Sequence, residues 1–135
     1  MALTIKTKYL GNLRTESLHV KSGKTLITDA PVDNNGKGEA FSPTDLLATS
    51  LATCMMTIMG IVAVKNNLKI EGLACDVTKI MAMSPRKVAE IIIEFNFAQN
   101  NFNNKEKEIL KEAAYSCPVA LSLADDLKKT VIFNF

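Results

Sequence analysis

The sequence predicts an α+β fold, and three features of the chain indicate this class. Its first third alternates polar and apolar residues with a period of two, which is typical of strands with one buried face. A long apolar segment with a helix-start signal follows, and the remainder predicts two strands, two helices and a final strand. Because 135 residues suit one compact unit, we expect a single domain over residues 1–135.

The first predicted sheet is a three-stranded antiparallel meander. Its strand-like runs are "LTIKTKYL", "RTESLHV" and "KTLITD", separated by turn signals at Gly11-Asn12 and Ser22-Gly23. The next segment, "APVDNNGKGEAFS", is rich in glycine and asparagine and predicts a loop. Its Gly-x-Gly lacks the spacing of a phosphate-binding loop, so we expect no nucleotide cofactor there.

A helix is predicted from Pro43 to about Asn66 or Asn67. Ser42 is a good N-cap residue, Pro43 suits the first turn, and Asp45 completes a capping box with Ser42. From Leu46 to Val64 the helix carries no charge, so its length alone would allow it to cross a membrane. Interspersed threonines and the soluble pattern of the remaining chain favour a helix enclosed by protein, and an intimate homodimer would supply that enclosure.

The later elements are predicted as two strands, two helices and a strand. The strands "LKIEGLACDVTKIMAM" and "KVAEIIIEFNFAQ" meet at Ser84-Pro85, and Cys75 is expected to be a packed residue of the first. An amphipathic helix, "NNKEKEILKEAAYSC", precedes a second helix, "PVALSLADDL", which leaves Cys117 at its N-terminal edge. The run "KTVIFNF" is predicted as the last strand of the chain, and we expect the sheets to be largely antiparallel. The second strand's predicted apolar face consists of Ala89, Ile91, Ile93, Phe95 and Phe97.

Composition narrows the possible chemistry. The formal net charge is +2 and the basic residues are scattered, so we expect no nucleic-acid partner. One histidine, His19, and three separated cysteines favour neither a metal site nor a histidine-based catalytic triad. The N-terminus lacks the apolar segment that a signal peptide requires, so we expect a cytoplasmic protein that is not inserted in a membrane. Sulfur is the expected reagent if the protein catalyses a reaction.

Cys54 lies near the middle of the apolar helix. Helical spacing places it on one face with Leu47, Ser50, Leu51, Ile58 and Ile61, and Met55 is close by. Apolar burial alone raises a thiol's pKa and makes it inert, so a nucleophilic Cys54 needs a nearby cation. A buried structural cysteine and an activated nucleophile both remain open at this point.

Two stretches resemble the cysteine motifs of the OsmC/Ohr family of organic hydroperoxide reductases. "SPTDLLATSLATC" is similar to the family's Asn/Ser-Pro-acid opening, with Cys54 ten residues after the acid's position, here Thr44. "AAYSCPVAL" is similar to its Cys-Pro motif at the start of a late helix. The spacing of the cysteines, the order of strands and the length also fit, so the resemblance covers nearly the whole chain.

The resemblance implies an intertwined homodimer with active sites at the interface and no cofactor or metal. Cys54 would attack the O–O bond of an organic hydroperoxide and become a sulfenic acid, and Cys117 would condense with it to a disulfide. A dithiol, either a lipoyl group or a thioredoxin-like protein, would reduce that disulfide. An apolar pocket would favour alkyl or fatty hydroperoxides. We expect its lining to include Leu47, Leu51, Met55 and Ile58.

The family also uses an arginine to stabilise the thiolate and an acid to orient that arginine. Arg14, at the start of the second strand, is the candidate, and a plain strand-edge charge is its alternative role. Thr44 occupies the usual glutamate position, so we expect Asp45, or Glu39 from the loop, to supply the acid. Helix capping is the alternative role of Asp45.

Two further functions remain open from the sequence. One is a non-enzymatic dimer that binds a small hydrophobic ligand with inert thiols. The other is a redox sensor in which the Cys54–Cys117 disulfide forms reversibly without turnover.

Overall fold

The computed structural model describes residues 1–135 and has the predicted α+β architecture, with two three-stranded sheets and three helices. The chain divides into two compact units, Met1–Leu47 and Ala48–Phe135. The single domain expected over residues 1–135 stays a prediction.

The first unit contains the predicted antiparallel meander. Its strands are β1 (Ile5–Gly11), β2 (Arg14–His19) and β3 (Thr25–Asp29), paired in the order β1-β2-β3. A short 3-10 turn at Val32–Asn34 lies in the loop that follows. The meander is confirmed, and most of its side chains are exposed in the single chain.

A two-residue turn joins β1 to β2 and determines where β2 begins. Asn12 and Leu13 both have positive φ, 54° and 63°, which gives the primed turn that matches the twist of antiparallel strands. The Leu13 amide donates a hydrogen bond to Tyr9 Oη at 3.1 Å, which supports a conformation unusual for leucine. Arg14 is therefore the first residue of β2, and the β2–β3 register places it opposite Asp29.

The central helix, α1 (Pro43–Lys65), begins with the predicted capping box. The Ser42 amide donates to Asp45 Oδ2 at 2.9 Å, and the Asp45 amide donates to Ser42 Oγ at 3.0 Å. This reciprocal pair satisfies backbone donors that the first helical turn leaves without partners. After Lys65 the chain leaves the helix through Asn67, whose φ of 54° is left-handed.

One face of α1 is buried and the opposite face is exposed in the single chain. Ile61 and Val64 are 47% and 78% exposed. By length and composition α1 is a candidate membrane span, but a core helix of a soluble protein passes the same test, so this is weak evidence of membrane insertion. The buried face consists of Ala48, Leu51, Ala52, Met55, Met59 and Ala63.

The second unit contains the rest of α1, the second sheet and two short helices. The strands β4 (Ala74–Met83), β5 (Arg86–Asn96) and β6 (Lys128–Asn134) pair in that order. The helices α2 (Asn104–Tyr115) and α3 (Pro118–Ser122) lie between β5 and β6 in sequence. The fully buried core of this unit includes Leu51, Met55, Met59, Ile91, Ile93, Phe95, Leu110 and Ala114.

Three details of the second unit differ from the sequence expectation. The β5–β6 pair is parallel, because the crossover through α2 and α3 returns the chain to the same end of the sheet. Val88 is buried in place of Ala89, because a bulge beside Met81 shifts the alternation of β5 by one residue. The helix after Pro118 ends at Ser122, because the backbone becomes extended at Leu123.

Candidate active site

The candidate site of the second unit contains two neighbouring thiols. Cys54 lies on α1 and is half-buried, whereas Cys117 is fully buried with no exposed surface. The two thiols are near enough for Cys54 to influence the pKa of Cys117, and both are free. The structure thus places the two cysteines named from the sequence near one another in the reduced state, one half-buried and the other fully buried.

The α2–α3 junction positions Cys117. Pro118 starts α3, and Cys117 is its N-cap, with Sγ accepting a hydrogen bond from the Ala120 amide at 3.3 Å. Before it, Ser116 ends α2 with its hydroxyl on the Ala113 carbonyl at 2.8 Å. The Cys-Pro pair therefore fixes the sulfur between two helices, and its predicted place at the edge of a helix is confirmed.

The surroundings of Cys117 favour its protonated form. Burial raises the pKa of the thiol, the Ala120 amide lowers it in part, and the neighbouring Cys54 thiol raises it again. The resulting pKa lies above the ordinary value of a thiol. Cys117 is therefore a thiol rather than a thiolate at neutral pH, and it has a proton to donate toward Cys54.

Cys54 lies at the border between the buried and exposed faces of α1. Met55 on one side is fully buried, and Thr53 on the other is exposed. The hydroxyl of Thr53 is occupied by the Thr49 carbonyl at 2.8 Å, so it does not compete for the neighbouring sulfur. A small molecule can approach Cys54 from the exposed side, whereas Cys117 has no such access.

In the first unit, Arg14 forms a two-point ion pair with Asp29. Arg14 Nε donates to Asp29 Oδ1 at 2.7 Å, and Nη2 donates to Oδ2 at 2.8 Å. This parallel geometry matches the guanidinium fork to the carboxylate and is among the strongest hydrogen-bonded ion pairs in proteins. The pair lowers the pKa of Asp29 and raises that of Arg14, so both groups stay charged at neutral pH.

Glu39 adds a second acid beside the same arginine. Its Oε2 accepts from Arg14 Nη2 at 3.4 Å, and its amide donates to Asp29 Oδ2 at 3.1 Å. Asp29 is only 1% exposed, whereas the Glu39 side chain is exposed, so Asp29 is the fixed partner and Glu39 the peripheral one. Glu39 was predicted from the sequence as a possible acid, but Asp29 was not. The pairing of strands β2 and β3, which places Asp29 opposite Arg14, would have identified it.

The other predicted acid, Asp45, caps α1. One of its carboxylate oxygens accepts a hydrogen bond from the Ser42 amide. This is the helix-capping role that the sequence predicted as the alternative to a catalytic one. Thr44, in the family's glutamate position, lies within 3.1 Å of the Ser42 hydroxyl through its own Oγ1. A catalytic role for Asp45 stays a prediction.

The four predicted pocket residues differ in exposure. Leu51 and Met55 are fully buried in the single chain, whereas Leu47 and Ile58 are half-buried. Leu47 belongs to the first unit and the other three to the second. Only Leu47 and Ile58 therefore present surface to a ligand without a change in side-chain packing.

The third cysteine, Cys75, lies on β4, whereas Cys54 lies on α1 and Cys117 at the start of α3. Its Sγ is 3.6 Å from Met56 Sδ, and burial raises the pKa of its thiol. A raised pKa and a thioether neighbour suit a packing role rather than a nucleophile. No cluster of three or more histidine, cysteine, aspartate or glutamate side chains forms a metal site in the chain.

Comparisons with known proteins identify a family that this chain matches. A sequence model of the OsmC-like proteins matches residues 36–131. A Psychrobacter arcticus protein named for osmotic stress induction and a detoxification response is 49% identical. Its structure has a TM-score of 0.96, and the match covers 99% of this chain and 97% of that chain. Comparison with curated proteins finds no match.

Two more distant structures share the fold. An organic hydroperoxide resistance protein, OsmC, from Legionella pneumophila is 16% identical with a TM-score of 0.77, covering 100% of this chain and 99% of that chain. A Vibrio cholerae protein named for organic hydroperoxide resistance, with captopril bound in one of its active sites, is 14% identical with a TM-score of 0.75. That match covers 99% of this chain and 93% of the other.

Proposed function

The chain belongs to the OsmC-like protein family, and from this premise we propose that it is a thiol-dependent peroxidase that reduces organic hydroperoxides. The observation that carries the proposal is the proximity of a half-buried Cys54 to a fully buried Cys117. Structural relatives named for organic hydroperoxide resistance support the choice of substrate class. The protein would act in defence against oxidative stress.

In the first step, the Cys54 thiolate attacks an oxygen of the hydroperoxide. An S–O bond forms and the O–O bond breaks, so the sulfur is oxidised to a sulfenic acid while the substrate takes two electrons. The departing alkoxide takes up a proton and leaves as an alcohol. Because Cys54 is the more exposed of the two sulfurs, it is the one that a hydroperoxide can reach.

In the second step, Cys117 attacks the sulfur of the Cys54 sulfenic acid. A disulfide forms, and the sulfenic oxygen leaves as water with the proton that Cys117 releases. The two thiols are neighbours in the reduced protein, and the side chains must approach until the sulfurs are roughly 2.05 Å apart, the length of a disulfide bond. The burial of Cys117 protects it from direct oxidation before this step.

A dithiol then restores the reduced enzyme. Its thiolate attacks the Cys54 sulfur, which is the accessible end of the disulfide, and its second thiol releases the enzyme by forming its own disulfide. Two electrons and two protons pass from the dithiol to the cysteines. A lipoyl group or a thioredoxin-like protein supplies this chemistry, so the proposal requires neither cofactor nor metal.

We assign Arg14 as the cation that favours the Cys54 thiolate, following the family's use of an arginine. Asp29 is then the acid that orients Arg14, because it is buried and holds two nitrogens of the guanidinium. This proposal moves the orienting role from Asp45 to Asp29. Asp45 remains the acid that caps the helix carrying Cys54.

Substrate preference would follow from apolar contacts. Ile58 would contact an alkyl tail, and the buried Leu51 and Met55 of the same unit would form the layer behind it. Burying apolar surface is worth about 25 cal/mol per Å², so a hydrocarbon tail strengthens binding where hydrogen peroxide gains nothing. Alkyl and fatty hydroperoxides are therefore the proposed substrates.

We also propose that the active form is a cytoplasmic homodimer. A single chain leaves large apolar side chains exposed on both units, which is more than isolated surface residues explain. A second copy that covers these side chains would remove them from water. They include Ile5, Tyr9, Leu26 and Ile27 on the meander and Ile61 and Val64 on α1.

Steady-state consumption of cumene hydroperoxide with dihydrolipoamide as reductant tests the function. We expect turnover by the reduced protein, no turnover by Cys54→Ser, and a lower kcat/KM for hydrogen peroxide than for cumene hydroperoxide. Cys75→Ser is the matched cysteine control and should retain turnover. Failure of the reduced wild-type protein to consume either peroxide contradicts the proposal.

A redox sensor is the second candidate, favoured by the burial and raised pKa of Cys117. Both features slow a resolving thiol and suit a disulfide that forms and persists. Repeated turnover with a dithiol supports the peroxidase, whereas a Cys54–Cys117 disulfide that a dithiol reverses without sustained hydroperoxide consumption supports the sensor.

A further inference from the structure

A polar cavity of about 320 Å³ lies in the second unit, lined by residues that follow α1 and by residues between β5 and α2. None of the three cysteines lines it, so the cavity is separate from the thiol chemistry. The cavity lining includes Leu68, Lys69, Gln99, Phe102 and Glu106.

The cavity lining includes a buried acceptor without a partner. Gln99 Nε2 donates to the Glu71 carbonyl at 3.3 Å, whereas Gln99 Oε1 is buried and has no hydrogen-bond partner. A buried amide oxygen left in this state costs free energy, and native proteins rarely leave one unsatisfied. A small rotation of the Gln99 side chain would present Oε1 to an N–H donor in the cavity and satisfy it.

Two opposite charges line the same cavity without pairing. Glu106 is oriented by Asn103, whose side chain donates to Glu106 Oε1 at 2.9 Å and accepts from the Glu106 amide at 2.8 Å. The second oxygen, Oε2, makes no hydrogen bond within the chain, and the Lys69 ammonium forms no ion pair. The lining therefore offers one anionic and one cationic group to a ligand.

Packed segments flank the cavity. Gly72 has φ +87°, a conformation that favours glycine, and a Cβ there would lie 3.2 Å from the Ala98 Cβ, closer than most Cβ contacts. Phe102 is 8% exposed, and its ring packs edge-on against Phe97 and Phe135 at 5.7 and 5.9 Å between centroids. The Phe102 ring is thus held in place by its neighbours, which reduces the cost of ordering it on binding.

We propose that this cavity binds a free apolar α-amino acid. Its ammonium group donates to Gln99 Oε1 and Glu106 Oε2, and its carboxylate accepts from Lys69. Its side chain packs on Phe102 and Leu68. A plain amine would leave Lys69 without a partner, and a plain carboxylate would leave the Gln99 oxygen unsatisfied, so the zwitterion is the class that uses every group.

Nuclear magnetic resonance of the uniformly ¹⁵N-labelled full chain tests the proposal with three probes: L-leucine, isoamylamine and N-acetyl-L-leucine. We expect L-leucine to shift the Gln99 side-chain amide and the Glu106 backbone amide in a saturable manner. The other two probes should bind about tenfold more weakly or worse, because each lacks one charge-assisted contact.

Variants separate the cavity from the rest of the molecule. Gln99→Leu and Glu106→Gln should each weaken L-leucine binding by roughly tenfold or more, whereas Glu112→Gln, which removes an exposed charge of α2, should leave it unchanged. Cumene hydroperoxide consumption by Glu106→Gln should equal that of the wild type. Equal binding of the three probes, or unchanged binding in both cavity variants, overturns the proposal. If no probe shifts these amides and only water contacts Gln99, the cavity is a hydration site and the proposal is wrong.

Discussion

Arg14 and Asp29 face each other across β2 and β3 and share two hydrogen bonds of 2.7 and 2.8 Å. The strand register makes them direct neighbours, and the Glu39 amide holds the same carboxylate from the loop side. Asp29 thus has little freedom to move, and the guanidinium that it binds is fixed with it. In the proposed enzyme this pair sets the position of the activating cation.

Asp29→Asn should impair Cys54 chemistry while leaving the fold intact. The amide cannot accept from both guanidinium nitrogens, so Arg14 gains freedom, and misplacing a group by about 1 Å costs up to about a hundredfold in rate. We expect kcat/KM for cumene hydroperoxide to fall by ten- to a hundredfold, roughly. The pH profile of Cys54 alkylation by iodoacetamide should shift to higher pH.

Two comparisons make this test specific. Glu16→Gln removes the exposed Lys8–Glu16 ion pair of the same meander and should leave turnover unchanged. In an Arg14→Ala background, Asp29→Asn should add no further loss, because the acid acts through the arginine. An additive loss, or an unshifted alkylation profile in Asp29→Asn, contradicts the assigned role.

The same ion pair predicts a pH dependence of stability. Arg14 lowers the pKa of Asp29 in the folded protein, so the stabilisation is complete above the unfolded value of about 3.9 and disappears as pH falls through the lower folded value. The urea midpoint of the wild type should exceed that of Asp29→Asn near neutral pH, and the difference should vanish in acid. A difference that grows as the pH falls would have the wrong sign.

Cys117→Ser should trap oxidation at Cys54. Without a resolving thiol, the sulfenic acid persists and excess hydroperoxide oxidises it further to sulfinic acid. Intact-protein mass spectrometry should show the gain of two and then more oxygen atoms in the variant, located at Cys54 by peptide mapping. Wild-type protein treated in the same way should show a disulfide, and over-oxidation at Cys75 instead of Cys54 would oppose the assignment.

The resolving step should accelerate with pH. Burial and the neighbouring Cys54 thiol raise the pKa of Cys117 above that of an ordinary thiol, so its thiolate fraction keeps increasing beyond about pH 8.5. Stopped-flow measurement of disulfide formation after a single hydroperoxide pulse should show a rate that rises from about pH 7 to about pH 10. A rate that levels off near neutral pH would indicate a thiolate of low pKa, contrary to its environment.

Ser42→Ala should destabilise the start of α1. The substitution removes the acceptor of the Asp45 amide in the capping box, a loss that costs about 1–2 kcal/mol. Urea unfolding should report this decrease, together with reduced hydrogen-exchange protection at the first turn of the helix. Thr57→Ala, which removes an exposed hydroxyl from the same helix, is the control and should change the midpoint little.

Local signals in the sequence predicted much of this fold. The capping box at Ser42 and Asp45 depends on residues three apart, and the Cys117 cap depends on the adjacent Pro118. The meander followed from a period of two and turn residues. These features are determined by near neighbours, which is why a single sequence contained them.

Features that depend on register and packing were not predictable in the same way. Alternation along β5 indicated one face, but the bulge that buries Val88 instead of Ala89 arises from pairing with β4. Asp29 was missed because its importance depends on standing opposite Arg14 in another strand. The exposed side of α1 likewise shows that an uncharged helix need not be enclosed within one chain.

The central claim is that Cys54 and Cys117 form a redox pair that consumes an organic hydroperoxide. Its most direct test is one equivalent of cumene hydroperoxide added to the fully reduced protein, followed by non-reducing peptide mapping and quantification of cumyl alcohol. We predict a Cys54–Cys117 disulfide and one alcohol released per disulfide formed. Two free thiols and unconsumed hydroperoxide, or a disulfide that includes Cys75, would contradict the claim.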